Sequence, residues 1–129
     1  MSWIFLGAVG GAQAVIAGAF GAHALAARLG PRELQLWEVA ARYLMYGSLA
    51  LMLVGLFGRQ TGGRGVAGTA GIAGIDAAGW CLLAGSAIFS GTVFALALGG
   101  PRWLGAVTPL GGALMIAGFL IFAWAAVRR

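Results

Sequence analysis

Charge is scarce in this chain, and where it occurs it marks the limits of long apolar runs. Residues 1–27 carry no charged side chain, residues 43–58 lie uncharged between Arg42 and Arg59, and further clear runs cover residues 77–101 and 103–127. A helix needs about 20 apolar residues to cross the hydrocarbon core of a bilayer. Four such spans use about 80 positions, which in a chain of 129 residues leaves no room for a separate soluble domain. Composition agrees, since 61% hydrophobic and 9% charged residues supply too little polar surface to cover a water-soluble globule. The expected fold is all-α, an integral membrane four-transmembrane-helix bundle. It forms a single transmembrane domain over residues 1–129, with helices at about 3–27, 33–57, 75–98 and 108–127.

Turn residues divide the chain at the same places. Leu29-Gly30-Pro31 ends the first helix and offers Pro31 to the first turn of the second, where the missing N–H costs nothing. The tract from Gly58 to Gly65 reads as a loop, and glycines continue through Gly68, Gly71 and Gly74, so the third helix is expected to firm up near Ile75. Gly99-Gly100-Pro101 ends it. Thr108-Pro109 then reads as an N-cap followed by a first-turn proline. Tryptophan favours the membrane–water interface. Trp3, Trp37, Trp103 and Trp124 all fall at expected helix ends, and Trp80 about a turn inside. The first run lacks a basic start and continues past 20 apolar residues, so it reads as a span rather than a cleaved signal.

An even number of spans puts both termini on one face, side A, with Arg59, Arg64, Arg128 and Arg129, against Arg28, Arg32, Arg42 and Arg102 on side B. The arginine count is tied, so the excess of basic residues that normally marks the cytoplasmic side is missing; the first helix, with arginines only after it, points side B inward. The formal net charge of +5 is spread over loop ends on both faces. Lipid headgroups, not nucleic acid, are the partners this suits. Every basic residue is an arginine and glycine and alanine abound, a composition typical of GC-rich bacterial genomes and consistent with a bacterial inner (plasma) membrane.

Small residues give the strongest packing signal. At about 100° per residue, Gly7, Gly10, Gly11, Ala14, Gly18, Gly21 and Ala22 fall within about 60° of one line on the first helix. Such a stripe lets helices approach closely and gain dispersion contacts where lipid is as apolar as the side chains. Ser90 and Gly91 on the third helix and Gly111 and Gly112 on the fourth offer similar surfaces. These contacts serve packing within the bundle or self-association.

Polar side chains are few. Gln13 is the only one deep in the first helix, lies off the glycine line, and suits a helix–helix hydrogen bond. Glu38 and Arg42, spaced i, i+4, are expected to pair at the start of the second helix. Asp76 is a carboxylate at the edge of the third span. It is a formal candidate for ion or proton handling, but the side A arginines make ion pairing its expected use. One histidine and one cysteine, Cys81, provide neither an internal disulfide nor a metal site of usual ligand number. No nucleophile motif and no phosphate loop with its lysine is present, so neither catalysis nor a resident cofactor is expected. The size resembles that of small multidrug-resistance exporters, yet those carry a carboxylate in mid-helix 1 where this chain has Gln13.

Several strings occur in order along nearly the whole chain: Gly18-Ala19-Phe20-Gly21-Ala22-His23, Ala41-Arg42-Tyr43-Leu44-Met45-Tyr46, Phe89-Ser90-Gly91, and Thr108-Pro109-Leu110-Gly111-Gly112. In these the chain resembles the YgdD-like family of small four-helix inner-membrane proteins of unknown function, which has mitochondrial relatives. That family tends to read Tyr-Gln-x-Tyr-His where this chain has Tyr43-Leu44-Met45-Tyr46-Gly47, so a polar pair on the second helix is missing. The resemblance implies a fold and a location but no reaction. The strings converge on side B, which predicts a polar cluster of His23, Glu38, Arg42, Tyr43 and Thr108. The expected function is a non-catalytic accessory or packing module that binds a larger membrane complex or copies of itself. A small conduit or carrier for an ion or small molecule, and a quinone- or lipid-binding subunit, are the alternatives.

Overall fold

The computed structural model describes residues 2–60 and 69–128, with the backbone alone for residues 69–73. Helix α1 runs Trp3–Phe20 and continues as one π-helical turn, Gly21–Leu25; α2 is Pro31–Gln60, α3 Thr69–Ala97 and α4 Leu104–Val127. All four are long and apolar enough to cross a membrane. The Ser2 hydroxyl caps α1 by accepting from the Ile4 N–H at 3.2 Å. Pro31 opens α2 as its sequence position suggests. Gly99 is the one described residue with positive φ, at 88°. Its N–H donates to Leu96 O and the next N–H, of Gly100, to Ala95 O. This crossed pair ends α3 and needs a left-handed residue that glycine adopts without strain.

Two expected boundaries move. The glycines before Ile75 do not delay α3, which begins at Thr69. Helix α4 begins at Leu104, so Thr108 is not an N-cap and Pro109 lies inside the helix. The first turn is entered through i→i+3 bonds, Leu104 N–H to Pro101 O and Gly105 N–H to Arg102 O, which start the helix without a side-chain cap. Proline breaks a helix by removing one N–H and crowding the carbonyl a turn earlier. Here the carbonyl left without its helical donor is that of Gly105, in the first turn of α4, and the Thr108 hydroxyl separately donates to Leu104 O at 3.0 Å.

Each helix packs chiefly on its neighbour in sequence, α1 on α2, α2 on α3 and α3 on α4. This leaves α1 and α4 as outer helices, each 17% buried over its most apolar window, against 44% for α2 and 33% for α3. The core lies between the inner two, where Ala50, Leu51 and Val54 meet Ile75, Ala78 and Leu82. Close crossings rest on bare backbone. A methyl group at Gly85 would stand 2.6 Å from Met115 N and one at Gly118 2.7 Å from Leu82 Cγ, and Gly111 is held as tightly against Phe89 and Gly85. Glycine therefore brings α3 and α4 into backbone contact.

Candidate functional site

Because α1 and α3 both lie against α2, a groove remains between them. Leu6, Val9, Gly10, Gln13 and Ala17 form one wall, Leu83, Ser86, Ala87, Ser90, Gly91 and Phe94 the other, with Trp37, Leu44, Ser48 and Leu51 as its floor. Its volume is about 530 Å³. Val9, Gln13, Ala87 and Gly91 are exposed at its mouth.

Aromatic side chains bridge the groove at its two ends. Toward side A, the Trp3 indole N–H donates to Asp76 Oδ1 at 2.9 Å, and the ring stands edge-on to Trp80 at 5.2 Å. Trp3 lies flush on Gly79, where a methyl group would come within 2.6 Å of the indole. Toward side B, the Trp37 indole N–H donates to Ala17 O at 2.7 Å, while its ring meets Phe94 with centroids 4.5 Å apart. Gly21 makes room for it, since a methyl group there would sit 2.5 Å from Trp37 Cδ1. Trp37 therefore ties α1, α2 and α3 together, a role its placement as an interface marker in the sequence does not reveal. Among the described residues Asp76 is bonded to an indole and to no arginine. Among the described residues Arg128 lies over the Trp124 ring at 4.1 Å, and Arg64 and Arg129 fall outside the described residues.

The polar groups along the groove are unequal. Ser90 is buried, 1% exposed, and its hydroxyl donates to Ala40 O across the α2–α3 contact at 2.8 Å. Ser48 donates to Leu44 O at 2.7 Å and Ser86 to Leu83 O at 3.2 Å. Gln13, beside the midpoint of the α1 span, has no hydrogen bond to any described residue. The helix–helix bond expected of it does not form. It is the one side-chain amide along the groove.

The side B residues are not drawn into one cluster. His23, Glu38 and Arg42 are exposed, and no hydrogen bond or ion pair joins them to each other, to Tyr43 or to Thr108 among the described residues. The π-helical turn carries His23 outward while Gly21 and Leu25 turn inward. Tyr43, 38% exposed, packs on Phe89 at 4.6 Å and Tyr46 at 5.4 Å. Thr108 instead meets Thr92, oxygen to oxygen at 2.7 Å, and so ties α4 to α3. No group of three or more His, Cys, Asp or Glu placed to hold a metal ion occurs among the described residues.

Of the small residues expected to pack, Gly7, Ala14, Gly21, Ser90 and Gly111 are buried. Gly11 makes ordinary contacts, 3.9 Å from Met45 and Ser48, and Gly112 likewise at 3.7 Å from Phe89. Gly18 and Gly91 have nothing within 4 Å of where a side chain would begin. Gly91 is open because it lies at the groove mouth.

Residues 17–112 match a family described as a protein of unknown function, DUF423. A UPF0382 membrane protein of Staphylococcus epidermidis is 40% identical over 126 residues, 98% of this chain and 95% of that protein. The UPF0382 membrane protein YwdK of Bacillus subtilis is 36% identical over 126 residues, 98% of this chain and 96% of its own length. No solved structure matches the chain. With four membrane-length helices, and relatives aligned from end to end that are themselves named membrane proteins, the chain belongs to the DUF423 family of UPF0382 membrane proteins.

Proposed function

We propose that the chain is a non-catalytic accessory protein of the bacterial inner membrane that binds a molecule from the bilayer in the groove between α1 and α3. The observation that carries this reading is Gln13, an amide beside the midpoint of a membrane-length helix, at the mouth of an apolar groove and with no hydrogen bond to a described residue. An amide in hydrocarbon without a partner costs several kcal/mol, so a molecule that reaches it from the bilayer gains what the chain itself does not supply. The resemblance to YgdD-like proteins and their mitochondrial relatives fits a role in the membrane that is kept apart from any one reaction. A conduit is less favoured. The three groove serines give their protons to carbonyl oxygens of the helices, and aromatic rings stand at both ends of the groove.

Purification in mild detergent followed by mass measurement of everything that co-elutes tests this. A stoichiometric companion retained by the wild type and lost on Gly91→Leu, which fills the mouth without touching the core, is the expected result. A chain that elutes alone from several detergents, with no companion restored by added membrane extract, overturns it.

A further inference from the structure

The groove has a definite length. From Leu6 to Ala17 its α1 wall covers eleven residue steps, about 16 Å at about 1.5 Å per residue, about half of the ~30 Å hydrocarbon core. Trp3 with Trp80 bounds one end, and Trp37 with Phe94 the other. A transmembrane helix of a partner cannot lie along it. The volume of about 530 Å³ belongs instead to the class of small-molecule sites, ~300–1,000 Å³.

The depth of Gln13 selects among small molecules. A phospholipid holds its polar atoms at the interface and presents only methylene groups at this level, which leaves the amide unpaired. The ligand must dissolve in the bilayer interior and carry an oxygen there. Trp37 and Phe94 line the groove, and the Trp37 N–H is already engaged with Ala17 O, one turn along α1 from Gln13, so what these side chains still offer is ring surface for stacking. A flat ring bearing oxygens, attached to an apolar tail that leaves between Val9 and Gly91, matches all three features. We infer that the groove is a site for an isoprenoid quinone, with the ring beside Trp37 and one ring oxygen on the Gln13 amide. This rests on the groove being a binding site, as argued above, and adds the ligand class.

Gln13 also sets which form is held. A carboxamide offers both N–H donors and a carbonyl acceptor, so it donates to a quinone carbonyl or accepts from a quinol hydroxyl. A carboxylate or an ammonium would favour one form. No charged group lines the groove among its described residues, so the site takes both forms alike.

The test is titration of the full chain in phosphatidylglycerol/phosphatidylcholine nanodiscs with decylubiquinone, with decylubiquinol and, as a tail without a ring, with decanol. Binding is read by retained ligand mass and by tryptophan fluorescence. Saturable binding of both ring forms within about threefold of each other is expected, with decanol weaker. Gln13→Leu, whose side chain is of similar size, should weaken both ring forms about five- to tenfold, the worth of one hydrogen bond, at a thermal midpoint no lower than that of the wild type. Gly91→Leu should block all three ligands while the fold is kept. Saturable binding of decanol as tight as that of the ring compounds, still blocked by Gly91→Leu, overturns the quinone assignment and leaves the groove standing. Ring binding that neither substitution alters overturns the placement. No saturable binding by any of the three ligands overturns the inference, and whether the wild type still retains a companion on purification then decides the broader reading separately.

Discussion

Gly7 and Gly18 lie on the same glycine line of α1, and α2 meets only one of them. A methyl group at Gly7 would stand 2.5 Å from Ser48 O and 2.9 Å from Met52 N, while at Gly18 it would meet nothing within 4 Å. Backbone atoms cannot swing aside as a side-chain tip can, so Gly7→Ile should cost about 1–3 kcal/mol by overpacking, and Gly18→Ile less than about 0.5 kcal/mol. Chemical denaturation in one detergent compares them, and equal midpoints for the two variants would refute the crossing geometry. Gly11, at the centre of the line, makes only ordinary contact with Met45 and Ser48, so it is the weaker probe. The glycine line was legible in the sequence because small residues recur at helical spacing. Which of its members are tight was not, because that depends on where a second helix crosses. Asp76 teaches the same lesson. Its charge pointed to an arginine, and the donor it meets among the described residues is the Trp3 indole. Asp76→Asn keeps an oxygen acceptor there, so melting temperature and any proteoliposome ion flux should stay at wild-type values. A lost flux would instead make Asp76 part of a transport path.

Helix α1 is attached to the rest of the molecule by its glycine contacts with α2 and by two indoles, one near each end. Trp37→Phe keeps the ring and removes the N–H that donates to Ala17 O, a neutral hydrogen bond worth about 0.5–1.5 kcal/mol. The loss should fall on α1, seen as faster amide exchange at Ala17–Leu25 with α3 and α4 unchanged; a uniform loss of protection across all four helices would contradict the separate attachment of α1. At this scale the sequence was most readable where turn chemistry is local. Pro31 opens α2 and Gly99-Gly100 closes α3, since both follow from the backbone freedom of single residues. It was least readable at the start of α4. Thr108-Pro109 has the look of a cap and first-turn proline, but packing of Thr108 against Thr92 across α3 rewards a helix that begins a turn earlier. The π-helical turn at Gly21–Leu25 was likewise hidden, because the seat that Gly21 makes for Trp37 is set by a residue on another helix.

For the molecule as a whole, the four membrane-length helices are each antiparallel to the next, an order that, with all four across a bilayer, puts the start of α1 and the end of α4 on one side. The arginine tie leaves orientation to the first helix, whose basic residues come after it. Side B should therefore be cytoplasmic, and alkaline phosphatase fused after Arg129 should be active in the periplasm of a bacterial host. An inactive phosphatase, with a fluorescent protein at the same site bright, would reverse the orientation. The number of spans was readable because hydrocarbon thickness fixes helix length whatever the packing. The groove was not, because it is a space left between helices rather than a property of any one of them. Its ends are formed by the side chains of Trp3 and Trp37, reaching α3 from α1 and α2, while much of the contact of α2 with α3 and the crossing of α3 with α4 rest outside it, on Val54, Ala78, Leu82, Gly85 and Gly111. Anything that enters from the bilayer therefore passes the open mouth at Val9, Gln13, Ala87 and Gly91, with no parting of the inner helices. The mouth residues Val9, Gln13, Ala87 and Gly91 are exposed and lie outside the buried core, so access to the groove is free to change in related chains without disturbing what holds the inner helices together.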